Sequence, residues 1–147
     1  MNMSYSKIGR HLTEQFEGCR LVAYQDSRGI WTIGYGHTRG VYPGMTCTQA
    51  QADAWLQEDI QWAASEVNRL VTVPITQDEF DALTDFTFNC GCGNFDHSTL
   101  LRLLNTGDYA DAAGQFERWD LCDGKVVAGL LRRRVAEAQE FRAGEAA

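Results

Sequence analysis

Three side chains near the start of the chain, Glu17, Asp26 and Thr32, have the types and spacing needed for acid-assisted hydrolysis. Glu17 falls at the predicted C-terminal end of a first helix, where the macrodipole is negative and backbone carbonyls lack partners. That position favours a protonated carboxyl, and burial acts in the same direction. An acid that keeps its proton near neutral pH can protonate a leaving oxygen. Asp26 falls in a predicted turn, is better solvated and is expected to be ionised. Two carboxyls in opposite protonation states across a cleft are the least apparatus that cleaves a glycosidic bond. Position alone does not single them out, because most of the 20 acidic residues of such a chain lie on solvated faces.

These residues need elements to hold them. Tyr5, Ile8, Leu12 and Phe16 recur at helical spacing and predict an amphipathic helix over about 4–17, stopped by Gly18. Leu21 to Tyr24 and Ile30 to Tyr35 read as two strands around the turn Asp26-Ser27-Arg28-Gly29, a hairpin. Alternation puts Trp31, Ile33 and Tyr35 on a bulky face and Thr32, Gly34 and Gly36 on a small one, with room for a ligand.

From Thr48 the pattern is helical. Thr48 with Gln51 and Thr76 with Glu79 are capping boxes. The first opens a long helix to about Val71 that carries Ala54, Trp55, Ile60, Ala64, Val67 and Leu70. The second opens a helix that Gly91 and Gly93 interrupt. A short helix follows at Leu100–Leu104, and one capped by Asp108 carries Ala112, Phe116 and Trp119. Asp123-Gly124 marks a turn. A last helix spans about Leu130 to Phe141, before a disordered tail over Ala143–Ala147. The expectation is an α+β fold: one domain over 1–147, with a small hairpin lobe at about 18–45. A larger helical lobe comprises 1–17 and 48–147, and a long helix and a cleft lie between the two.

Bulk properties exclude other classes. The chain has 147 residues and a formal net charge of −7, whereas a nucleic-acid binder of this size would ordinarily be basic. No apolar run could span a bilayer, and MNMSYSKIGRH lacks the core and cleavage site of a secretory signal. Synthesis in the cytoplasm without stable membrane insertion is expected. The cysteines Cys19, Cys47, Cys90, Cys92 and Cys122 are odd in number and read as structural thiols. Cys90, Cys92 and His97 have the wrong spacing for common zinc patterns, so no metal and no cofactor is expected.

Glu17-Gly18-Cys19-Arg20-Leu21, then Tyr24, Asp26, Gly29, Thr32-Ile33-Gly34 and Gly36-His37, closely resembles the active-site stretch of the phage-type lysozymes, glycoside hydrolase family 24. Phe88-Asn89 with Gly91, Ser98-Thr99-Leu100-Leu101, Trp119, and Gly129-Leu130 with Arg132-Arg133-Arg134 and Glu137 extend the resemblance along the chain. The resemblance implies a lysozyme-like fold and hydrolysis of the β-1,4 bond between N-acetylmuramic acid and N-acetylglucosamine in peptidoglycan. It makes Glu17 the general acid, Asp26 the stabiliser of positive charge and Thr32 the holder of the attacking water. It favours inversion, for which the carboxyls stand about 6.5–9.5 Å apart. A monomer is the default, and the missing secretory signal leads us to expect release by a holin before the chain acts in the periplasm or wall of its host.

Further candidates for substrate binding are Gly34, Gly36, His37, Asn89, Ser98 and Arg133. Gly34 and Gly36 would let a sugar chain approach the backbone. His37 reads more readily as a hydrogen-bonded support than as a base. Asn89 either binds substrate or caps its helix. Arg133 either pairs with Glu17 or lies on a solvated basic face. Two rival functions stay open: a lytic transglycosylase, which needs no water-holding pair, and a catalytically silent wall-binding protein.

Overall fold

The computed structural model describes residues 2–122, 125–126 and 128–146. The order is α1 (Lys7–Glu17), β1 (Arg20–Gln25), β2 (Trp31–Gly34), α2 (Gln49–Leu70), α3 (Gln77–Cys90), α4 (Cys92–Asp96), α5 (Thr99–Asn105) and α6 (Tyr109–Ala113). A 3₁₀ turn (Phe116–Arg118), β3 (Leu121–Cys122), β4 (Lys125–Val126) and α7 (Ala128–Ala146) complete it. The strands form two separate antiparallel pairs, β1 with β2 and β3 with β4.

Local chemistry fixes most boundaries. Ser6 caps α1 through a bond from Gly9 N, so the helix starts at Lys7. Both expected capping boxes form: Thr48 and Gln51 open α2, and Thr76 and Glu79 open α3. Ser98 and Asp108 cap α5 and α6. Four details differ from the sequence reading. Ile8 faces solvent, at 65% exposed, because α1 buries its Gly9–Leu12–Thr13 face against α3. Ala54 is likewise exposed, and Ala52 and Leu56 take its place in the core. The helix of Asp108 ends at Ala113, and Phe116 enters a separate 3₁₀ turn. The last helix continues through the expected tail to Ala146. The turn expected at Asp123-Gly124 lies outside the described residues.

The core gathers Phe80, Leu83 and Phe86 of α3 with Phe95, Leu100, Leu104, Phe116 and Phe141. Burial of such aromatic and aliphatic side chains supplies the main drive for folding, about 1.5–3 kcal/mol for each. Helix α3 lies at the centre, packed most extensively on α7 and also on α1 and α2. Helix α2 also carries the β1–β2 hairpin on its N-terminal half. There Gly34 meets Ala52, whose Cβ would lie 3.2 Å from a Cβ added at position 34. At Gly34 the small strand face is therefore filled by a helix, and Thr32, Ile33 and Gly34 are all buried.

Candidate active site

Helix α1 ends on Glu17 because Gly18, at φ 65°, turns the chain out of the helix. The Glu17 side chain is 19% exposed, and its Oε2 accepts a 2.7 Å bond from Arg133 Nη1. Its Oε1 lies over Gly36. A Cβ at position 36 would stand 2.9 Å from that oxygen, and φ there is +82°, so both space and backbone require glycine.

The hairpin supplies the opposite side. Tyr24 pairs with Thr32 and Gln25 with Trp31 across the strands. Asp26 Oδ1 accepts from the amides of Arg28 at 2.8 Å and Ile30 at 2.9 Å, the geometry of an Asx turn. The Thr32 hydroxyl donates to the Ile30 carbonyl at 2.9 Å, and so does the Asp26 amide. Ile30 thus ties Asp26 and Thr32 into one rigid loop. Burial raises the Tyr24 phenol above its usual range. The Arg20 guanidinium, 4.2 Å above the ring, opposes this, while the charges of Glu17 and Asp26 add to it. Both carboxyls therefore lie within electrostatic reach of one phenol.

Arg133 is 4% exposed and holds two carboxylates. Its Nε and Nη2 donate to Asp85 Oδ2 and Oδ1 at 2.9 and 2.8 Å, and Nη1 serves Glu17. Such a fork fixes orientation as well as charge. Asn89 is exposed, and its carbonyl oxygen accepts from Arg134 Nη2 at 2.8 Å. A hollow of about 970 Å³ lies on this helical side of Glu17, with Phe16, Asn89, Arg132 and Arg133 among its walls. A smaller one of about 180 Å³ lies beyond Gly36, walled by Thr38, Arg39, Asp59, Trp62 and Phe88.

The other candidates have different surroundings. His37 is buried, stacked 4.6 Å from Trp55, with Nδ1 2.8 Å from Asp59 Oδ2, and it supports the loop after β2. Gly34 is a packing position against α2, so the expectation that it admits a sugar does not hold. Ser98 is also corrected: it is buried, and its hydroxyl donates to Phe95 O and accepts from Leu101 N as a helix cap. Asp85 and Asp59, the partners of Arg133 and His37, escaped the sequence reading. A signal for Asp85 existed, since an acid set in the run Phe80–Phe88 between Leu83 and Phe86 needs a buried cation. Cys19, Cys47, Cys90 and Cys92 are free thiols. Among the described residues, the one group able to gather around a metal is Asp78, Asp81 and Glu140, away from these side chains.

A small hairpin set against a helical body is the architecture of a lysozyme-type glycoside hydrolase. The phage lysozyme family model matches residues 14–137. An endolysin of Acyrthosiphon pisum secondary endosymbiont phage 1 is 43% identical over 95% of this chain and 98% of its own length. The endolysin of Bacillus phage B103 is 39% identical over 97% of this chain, which spans 56% of that longer protein. Among solved structures, the muramidase domain of SpmX from Asticaccaulis excentricus is 40% identical with a TM-score of 0.88, covering 94% of this chain and 97% of that one. The endolysin of Escherichia coli O157:H7 phage FAHEc1 is 36% identical with a TM-score of 0.90, covering 96% and 94%. The chain belongs to the phage lysozyme family. It is a glycoside hydrolase of the N-acetylmuramidase type, a peptidoglycan-lysing lysozyme.

Proposed function

We propose that the whole chain, 1–147, acts as one catalytic domain that cuts the muramic acid–glucosamine bond of peptidoglycan by a single displacement with inversion. Glu17 protonates the leaving oxygen through Oε1, the oxygen that faces Gly36. Oε2 meanwhile accepts from Arg133, a role that the carbonyl oxygen of a neutral acid fills. Asp26, as a carboxylate, offsets the positive charge that develops on the sugar. The Thr32 hydroxyl has its hydrogen on Ile30 O, so towards the cleft it offers only lone pairs. A water that donates one hydrogen to Thr32 and one to Asp26 keeps its own lone pair free for attack, and as its oxygen bonds to the sugar carbon the Asp26 carboxylate takes its proton. Gly36, with no side chain, leaves the sugar room beside the acid, and Asn89 lines the helical wall.

What carries this reading is the joint attachment of Asp26 and Thr32 to Ile30, together with the hold of Arg133 on Glu17. A transglycosylase would not need such a pair of water acceptors. The names of the relatives support action on a bacterial wall during host lysis. Monomeric action, synthesis in the cytoplasm and release by a holin complete the reading.

The test is clearing of purified cell walls. The unaltered chain should release fragments with ordinary reducing ends, and Glu17→Gln should lower the rate by at least 10²-fold, as expected for loss of a general acid. Anhydro ends would reassign the chain to the transglycosylases, and an active Glu17→Gln would remove Glu17 from the mechanism.

A further inference from the structure

We propose that Asp85 is a positioning residue for the reaction: by engaging two of the three guanidinium nitrogens of Arg133, it sets the aim of the Glu17 carboxyl and the share of positive charge that reaches it. This inference rests on Glu17 as the acid and adds a residue that touches neither substrate nor Glu17.

The geometry isolates the role. Asp85 is wholly buried on α3 and binds Arg133 through two parallel bonds, while Glu17 receives one. A guanidinium gripped at two points cannot swing, so its third nitrogen, Nη1, approaches Glu17 from a fixed direction. Asp85 is itself held from behind. Thr13 Oγ1 donates to Oδ1 at 2.7 Å, and the Thr13 oxygen lies 2.6 Å from the Tyr5 hydroxyl. A chain of contacts therefore runs from Tyr5 through Thr13, Asp85 and Arg133 to Glu17. Both its ends lie on or beside α1, although its middle is on α3 and α7.

The charges agree with this order. Burial alone would raise the Asp85 carboxyl. The hydrogen bond from Glu137, the charge and bonds of Arg133 and the bond from Thr13 outweigh burial and hold it at about 2. Burial, then its bond to Asp85 and the Asp85 charge, push Glu137 well above the ordinary carboxyl range, against the charges of Arg134, which donates to it at 2.9 Å, and of Arg133. Arg133 thus faces one full negative charge at Asp85, which limits its pull on Glu17. From the hairpin, the Tyr24 phenol lies within reach of the Glu17 charge and of the Asp26 charge.

The experiment is the pH profile of kcat/KM for wall hydrolysis by the full chain, with Asp85→Asn and Glu137→Gln beside the unaltered protein. Asp85→Asn leaves the whole Arg133 charge on Glu17 and favours the carboxylate there. Its alkaline limb should move down by about one pH unit, a loss of about tenfold above that limb, with KM changed less than twofold. Glu137→Gln keeps a neutral donor beside Asp85 and should leave the limb in place. An Asp85→Asn protein that melts like the unaltered chain but keeps its alkaline limb overturns the proposal. If that variant does not fold, the carboxyl carbon resonance of Asp85 in the unaltered chain decides. It should show no titration step across the active pH range, and a step there also overturns the proposal. An active Glu17→Gln instead removes the acid on which the inference rests, so the two failures are distinct.

Discussion

The hairpin side of the site and its helical wall hold carboxylates by opposite means. On the hairpin, Asp26 is partly exposed, and its partners are the amides two and four residues along the chain. In the wall, Asp85 and Arg133 are buried and 48 residues apart in sequence, and Glu17 reaches Arg133 across 116. A turn that carries its own hydrogen bonds can keep its shape at the surface and stay open to solvent, as a residue beside a catalytic water must. A long-range ion pair needs the packed interior to place its partners, and in return it holds them rigidly. The water-holding half is thus built locally and the proton-donating half globally.

That contrast predicts different kinds of failure. Arg133→Gln should show the largest effect on stability. It leaves Asp85 buried without its cation, a loss of about 3–5 kcal/mol. Denaturant unfolding checks this, and a loss under about 1 kcal/mol would mean that the wall is not the rigid half. Thr32→Val should do the reverse. Activity should fall by about 10²-fold or more, close to 2.7 kcal/mol of barrier. Unfolding should shift by no more than about 1.5 kcal/mol, the worth of one hydrogen bond. Gly36→Ala sits where the halves meet. Its methyl would intrude on Glu17 Oε1 and oppose a φ of +82°, for about 1–2 kcal/mol of stability together with reduced clearing. Gly34→Ala should lose stability with a smaller change in rate once folded, since its neighbours are Ala52 and Trp55.

The smallest effect lies outside the site. Burial, then the charges of Asp81, Asp78 and Asp85, raise Glu140 to about 7. Its folded form holds a proton that the unfolded chain releases near pH 4.3. Stability from this group is therefore full below about pH 4.3 and lost as pH rises through about 7. Melting temperature should fall over that window, and Glu140→Gln should flatten the slope. Asp85 has the opposite sign: its contribution is present above about pH 3.9 and is lost as pH falls through about 2.

The same contrast explains what could be read before the structure. Asp26 and Thr32 stand in a turn whose residues specify it, and the boxes at Thr48 and Thr76 mark helix starts by chemistry four residues long. Arg133 has two readings in the sequence, a partner of Glu17 or part of a solvated basic face, and the structure pairs it with Glu17. Asp85 and Asp59 were hidden because their partners are brought near only by the packing of α3 on α7 and of the hairpin on α2. Gly34 and Ser98 misled for a related reason. A small residue beside a site and a hydroxyl at a helix start look alike in sequence whether they meet substrate or protein, and both meet protein here.

The central claim is that a water held by Asp26 and Thr32 attacks from the face opposite Glu17. Proton NMR of the first products of wall glycan cleavage reads this directly, before the new reducing end equilibrates. The α-anomer of the muramic acid end should appear first; initial β-anomer would show net retention and contradict the account.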